Sequence, residues 1–260
     1  MRIARVVVTI CAIESEAVHL RRRLKDTREV PLAHWRRTRG RLGGTTVDLV
    51  ISGVGLINAA AATSALCAVE PPGALLNYGC SGAHREDIIP GDVIIATKVV
   101  HCSAQRILPD GQRHYIGFDY SVDNTRVQTD HIPADPDLLG LAQRVAPATA
   151  LPVWPGLSQR PRVHMGTVAS ADVWTQHGES IRTLHTLHGS LCEEMEAAAI
   201  AQVAAIYSVP FLAVKDISNN ELLQVTAPQA GHRWPTLEAV RPELGRRAAL
   251  VVEAMLAAMT

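Results

Sequence analysis

The chain has 260 residues, 47% of them hydrophobic and 19% charged, and its 25 basic and 25 acidic side chains cancel. That length suits one large domain or two small ones and can bury a substantial core. A neutral chain without a long basic run excludes nucleic acid and anionic membrane as natural partners.

The N-terminus carries no signal pattern, because Arg2 and Arg5 precede only a short apolar run before Glu14. Residues 4–10 are apolar and β-branched and predict a buried strand; residues 14–24 predict a helix whose arginines at 21 to 23 face solvent. A strand at 46–52 runs into Gly53-Val54-Gly55, followed by an alanine-rich helix over 58–69. Strands at 74–78 and 93–100 are separated by the small-residue loop Gly79-Cys80-Ser81-Gly82. Residues 103–136 are the least regular and predict a surface insertion or a partner-facing loop. Strands follow at 163–169, briefly at Leu191, and at 211–217, with a helix apolar on every side over 195–207. Residues 241–259 predict an amphipathic helix with Ala248, Val251, Val252, Met255 and Met259 as its apolar stripe. No stretch is apolar enough to span a bilayer. The pattern predicts a single α/β domain over 1–260, three layers deep, with a twisted mixed, mainly parallel central sheet.

Five cysteines without a C-x-x-C pair indicate buried thiols in a reducing, cytoplasmic setting. The eleven histidines have no metal-site spacing, so neither metal nor cofactor is expected.

The richest segment is Cys192-Glu193-Glu194-Met195-Glu196-Ala197, where three acids bracket a methionine at the start of the apolar helix. Acids carried into an interior need partners, and a hydroxyl-rich ligand supplies them; complementing the helix dipole is the plainer alternative. Ligands in such folds sit at the carboxyl ends of strands. Those ends carry Ala12 to Glu16, Gly79 to Gly82, Ser170 to Trp174, Glu193 to Glu196 and Ser218 to Asn220, an inventory that suits a sugar joined to a flat heteroaromatic ring. Gly53-Val54-Gly55 has Asn58 where a dinucleotide fingerprint needs its third glycine, so it is read as a tight turn. Trp174 suits core packing and base stacking equally. Asp172 fits a helix cap, Cys80 a small buried hydrophobe, and Lys215 and Asp216 structural ion pairs.

Taken in order, Ala12-Ile13-Glu14-Ser15-Glu16, Ser52-Gly53-Val54-Gly55-Leu56-Ile57-Asn58-Ala59-Ala60, Asn77-Tyr78-Gly79-Cys80-Ser81-Gly82, Pro90-Gly91-Asp92-Val93, Glu194-Met195-Glu196-Ala197-Ala198-Ala199 and Val214-Lys215-Asp216-Ile217-Ser218-Asn219 resemble the nucleoside phosphorylase and nucleosidase superfamily. The likeness is strongest to the methylthioadenosine/adenosylhomocysteine nucleosidases and futalosine hydrolases. It implies a purine nucleosidase that takes a small-molecule nucleoside, and a homo-oligomer, commonly a dimer whose partner loop closes the pocket. By that resemblance Glu16 holds and deprotonates water, Glu196 bonds the ribose hydroxyls, and Met195 packs on the sugar. Trp174 stacks on the purine with Thr175 at the base edge. Ile13, Glu194, Cys80, Ser81 and Gly82 line the substrate, and Ser218 and Asn219 meet the purine N7.

Two departures refine the expectation. Adenine-specific nucleosidases place Asp where this chain has Asn219; an amide donates and accepts hydrogen bonds but delivers no proton, which suits a 6-oxopurine. Hexameric phosphorylases place an arginine-bearing loop and a second arginine where this chain has Ile13-Glu14-Ser15-Glu16 and Asn77, so hydrolysis is expected over phosphorolysis. The alternatives are a purine nucleoside phosphorylase and a catalytically weakened nucleoside-binding module.

Overall fold

A strand buried on both faces needs apolar side chains in both directions, and β1 (Val7–Cys11) and β5 (Ala74–Ala83) show it: Val8 and Leu75 enter one core, Val7 and Leu76 the other. The computed structural model describes residues 6–226 and 238–259. Ala4 and Arg5, in the first expected strand, lie outside the described residues.

In chain order, β1 leads to α1 (Glu14–Arg21), then to the antiparallel run β2 (Lys25–Glu29), β3 (Arg36–Leu42) and β4 (Thr45–Ile51). Helix α2 (Leu56–Val69) connects to β5, and β6 (Val93–His101) follows. Five short strands come next: β7 (Gln105–Ile107), β8 (Arg113–Tyr115), β9 (Phe118–Val122), β10 (Thr125–Thr129) and β11 (Ile132–Pro133). The remainder is α3 (Pro136–Val145), β12 (Val163–Ser170), α4 (Gly178–His188), β13 (Ser190–Glu194), α5 (Ala197–Ile206), β14 (Phe211–Asn219), α6 (Glu221–Thr226) and α7 (Arg246–Ala257).

The sheet runs β11-β6-β12-β13-β5-β1-β4-β3-β2, and β14 pairs with both β5 and β6. Strands β4, β1, β5 and β14 are parallel neighbours. Antiparallel pairings come from the β2–β3–β4 run and from β13–β5, β14–β6 and β11–β6. The double pairing of β14 closes β6, β12, β13, β5 and β14 into a ring. Helices α2 and α5 cover one face, and α1, α3 and α7 the other. The mixed α/β architecture is the expected one.

Three expectations change in detail. The small-residue run Gly79 to Gly82 is the end of β5, not a loop. The stretch 103–136 holds two hairpins, β7–β8 and β9–β10, and β11 joins the main sheet. The buried Phe118 anchors this stretch in the core beside α5. The helix expected over 195–207 begins only at Ala197, so Glu193 and Glu194 end a strand and Glu196 is the helix N-cap. The expected C-terminal stripe is borne out: all five of its residues are buried, four on α7 and Met259 just beyond it.

Candidate active site

Glu16 sits in the first turn of α1, where a carboxylate suits the helix dipole. Its Oε2 accepts the backbone N–H of Ala12 at 3.0 Å and of Ile13 at 3.3 Å, and Oε1 accepts that of Cys80 at 2.8 Å. One side chain thereby ties the end of β1 to the end of β5. Two glycines make the space: a Cβ on Gly79 would fall 2.6 Å from Oε1, and one on Gly245 2.9 Å from Cγ. Three donors on a carboxylate with about four lone-pair sites leave about one site for a further donor. Beside it, burial and then the Glu16 charge push the Cys80 thiol well above its usual pKa, so it is no thiolate nucleophile.

Glu194 is buried against Lys215, with Nζ 2.8 Å from Oε2. The same carboxylate accepts the N–H of Glu196 at 3.1 Å and of Ala197 at 3.0 Å, which caps α5. Burial works against the Lys215 charge, but Glu194, Glu196 and Glu16 outweigh it and raise its pKa. Lys215 is thus the expected structural ion pair. Asp216 instead accepts the N–H of Gly245 and of Arg247, each at 3.0 Å, and caps α7. Among the described residues Glu196 receives only the Gly55 N–H, at 2.9 Å on Oε1. Burial first and Glu194 second push its pKa up to about 8, against Lys215 and the Gly55 donor. The Gly53-Val54-Gly55 segment is the expected tight turn, with both glycines at positive φ, and Asp172 caps α2 through the Leu56 N–H at 2.7 Å.

On β14 a bulge falls between Ile217 and Asn219, and it lets Ser218 and Asn219 both face the cleft. The Ser218 hydroxyl donates to Asn219 Oδ1 at 2.8 Å, and Asn219 Nδ2 donates to Glu221 Oε1 at 3.0 Å. Trp174 is 52% exposed, which removes core packing as its role and leaves its ring free at the cleft mouth. Thr175 is engaged elsewhere: its N–H and its hydroxyl each donate to Glu193, both at 3.0 Å.

All twelve residues singled out from the sequence line one cleft of about 740 Å³, including space open to solvent. Ile13 and Glu16 come from the β1–α1 junction, Cys80, Ser81 and Gly82 from β5, and Trp174 and Thr175 from the segment after β12. Glu194, Met195 and Glu196 come from the β13–α5 junction, and Ser218 and Asn219 from β14. Glu194 lines the cleft but commits its carboxylate to Lys215 and α5, so it holds Glu196 in place. Glu193, His84 and Glu221 also line the cleft, although the resemblance passes over them. Glu193 belongs to the acid run and Glu221 follows Asn219 by two residues, so both carried a signal; His84 carried none. Among the described residues no helix is long and apolar enough to cross a membrane.

A model of the phosphorylase superfamily matches residues 6–257. The chain belongs to the phosphorylase superfamily. This superfamily member is 30% identical over 216 residues to a 5′-methylthioadenosine/S-adenosylhomocysteine nucleosidase of Staphylococcus carnosus, covering 82% of this chain and 86% of that protein. It superposes on the Streptococcus pneumoniae nucleosidase of the same name, held with a transition-state inhibitor, with a TM-score of 0.75 and 26% identity over 98% of this chain and 99% of that one. It shares its fold with the futalosine hydrolase of Helicobacter pylori, with a TM-score of 0.77 and 18% identity over 97% of each chain. Like its curated relatives, this superfamily member is a nucleosidase, a hydrolase of N-glycosidic bonds.

Proposed function

We propose that the chain, acting as one domain, hydrolyses a purine nucleoside, prefers a 6-oxopurine to adenine, and accepts a modified 5′ position. The observation that carries this reading is the meeting of Glu16, Glu196 and Asn219, far apart in sequence, around one cleft. Glu16 holds water at its remaining acceptor site and takes its proton as the oxygen adds to the anomeric carbon. The breaking bond leaves an oxocarbenium-like sugar, as in glycoside hydrolysis. Glu196 accepts the ribose hydroxyls, which favours its ionised form, and its charge stabilises the cationic sugar. Asn219 keeps one Nδ2 hydrogen beyond its bond to Glu221, and that hydrogen meets N7 or O6 of the departing base. The base leaves with the bonding electron pair and takes its proton from solvent.

Hydrolysis rather than phosphorolysis is supported by charge. No Arg or Lys is among the described residues lining the cleft, whereas Glu16, Glu193, Glu194, Glu196 and Glu221 are. The test is base release from inosine, guanosine, adenosine, methylthioadenosine, adenosylhomocysteine and futalosine, with and without phosphate. Release without phosphate, faster for 6-oxopurines, supports the reading; strict phosphate dependence overturns hydrolysis, and tight binding without turnover overturns the enzyme assignment.

Val54, Val173 and Trp174 line the cleft yet are each about half exposed. They support a homodimer in which a partner covers the mouth, and light scattering on the purified chain tests it: a strict monomer rejects the dimer.

A further inference from the structure

We infer that Glu193 reads the Watson–Crick edge of the base, accepting N1–H and the 2-amino group, so that the site selects guanine-type nucleosides. This rests on the nucleosidase reading above and deepens it.

The register of the ring carries the argument. Gly82 of β5 is the direct partner of Glu193 on β13 and of Asn219 on β14. Cross-strand partners send their side chains to the same face. At Gly82 that face points at Asn219, since a Cβ there would lie 3.2 Å from Nδ2. Neighbouring strands lie about 4.8 Å apart, so the Cα atoms of Glu193 and Asn219 stand roughly 10 Å apart across a residue with no side chain. Gly82 is then the floor of a slot, with an amide on one wall and a carboxylate on the other. All three residues line the cleft, with Trp174 at its mouth.

The chemistry of the walls decides the ligand. Asn219 offers a donor to N7 and O6. On the facing wall Thr175 could have offered donors, but its N–H and hydroxyl are both turned into Glu193. A weak bond from the Cys102 thiol, at 3.9 Å, goes to Oε1 as well. The edge therefore presents an acceptor. A carboxylate with about four lone-pair sites still has room on Oε2, which among the described residues receives only the Thr175 N–H. Guanine shows two donors there, N1–H and the 2-amino group; hypoxanthine shows one; adenine shows the acceptor N1, which a carboxylate repels.

The test uses the full chain and measures binding of guanine, hypoxanthine and adenine by calorimetry, beside base release from guanosine, inosine and adenosine. Wild type is expected to favour guanine over hypoxanthine over adenine. Glu193→Gln, checked for an unchanged melting temperature, is expected to lose guanine affinity about 10- to 100-fold while adenine affinity holds or rises. Because Gln keeps an oxygen for the Thr175 N–H and its amide can donate to the Thr175 hydroxyl, a merely structural role predicts equal losses for all three bases. Wild type alone provides a second route should the variant not fold: 1-methylguanosine, which lacks N1–H, should bind about 10- to 100-fold more weakly than guanosine. Equal binding of the two, an unchanged base ratio in Glu193→Gln, or a wild-type preference for adenine overturns the inference and leaves hydrolysis standing. No binding of any purine overturns both.

Discussion

Replacing Glu196 by Gln should make the protein more stable, increasingly so as pH rises. The Glu196 carboxyl titrates near 8 in the folded chain, against 4.5 for an ordinary glutamate. Between those values the folded chain keeps a proton that the unfolded chain has released. Folding stability therefore falls as pH rises through that window, and the loss is complete above about 8. A difference of this size amounts to up to about 5 kcal/mol. For a chain of this length about 1 kcal/mol moves the melting temperature by roughly 2 °C. Gln keeps an oxygen for the Gly55 N–H and has nothing to ionise. The melting temperature of Glu196→Gln minus that of wild type should thus grow by up to about 10 °C between pH 5 and pH 9. Both proteins are scanned in the same buffers, so Asp216, whose burial raises it to about 7, and Glu193, also raised by burial, cancel in the difference. A difference that stays flat across the range refutes the argument. The same titration governs activity: wild-type kcat/KM should climb with pH toward 8 as the hydroxyl-accepting carboxylate forms, and the Gln variant should lose turnover at every pH.

Three further outcomes follow from local geometry. Gly245→Ala places a methyl 2.9 Å from Glu16 Cγ at a φ of +70°, so kcat should fall about tenfold or more with KM little changed, alongside a destabilisation of about 1–3 kcal/mol by urea unfolding. Trp174→Ala removes a ring that is 52% exposed, so stability should hold within about 0.5 kcal/mol while KM rises about 5- to 150-fold from lost stacking. Lys215→Met strands the buried Glu194 without its cation and should cost about 3–5 kcal/mol in chemical denaturation, whereas an unchanged midpoint would show the pair to be dispensable.

The site was more legible in the sequence than the outer parts of the fold. Runs such as Val7 to Ile10 and Phe211 to Val214 are apolar on both faces because helices cover both, and that pattern survives in a bare sequence. Strand β3 does not read that way. Its Arg37 and Arg39 look like solvated charge, but both bind the buried Asp48, with Arg37 Nη2 2.5 Å and Arg39 Nε 2.7 Å from it, and both reach Glu70. Only tertiary structure brings that acid to them. Helix α3 carries a legible start, with Asp135 as cap and Pro136 in the first position, but it adjoins the irregular stretch 103–136, whose lack of periodicity hides it. At the site, motif order located the twelve cleft residues. Which acids are free and which are committed depended on contacts between distant strands: Glu194 with Lys215, and Glu193 with Thr175.

The concentration of carboxylates around the cleft also bears on what is turned away. A mononucleotide carries the same base and sugar as a nucleoside but adds a phosphate dianion at the 5′ carbon. Among the described residues the wall carries five glutamates and no Arg or Lys, and the buried Lys215 ammonium is already neutralised by Glu194, so that dianion meets repulsion there. Guanosine and inosine monophosphates should neither be cleaved nor compete with guanosine, so the enzyme would discriminate by charge between an intact nucleotide and its dephosphorylated remnant.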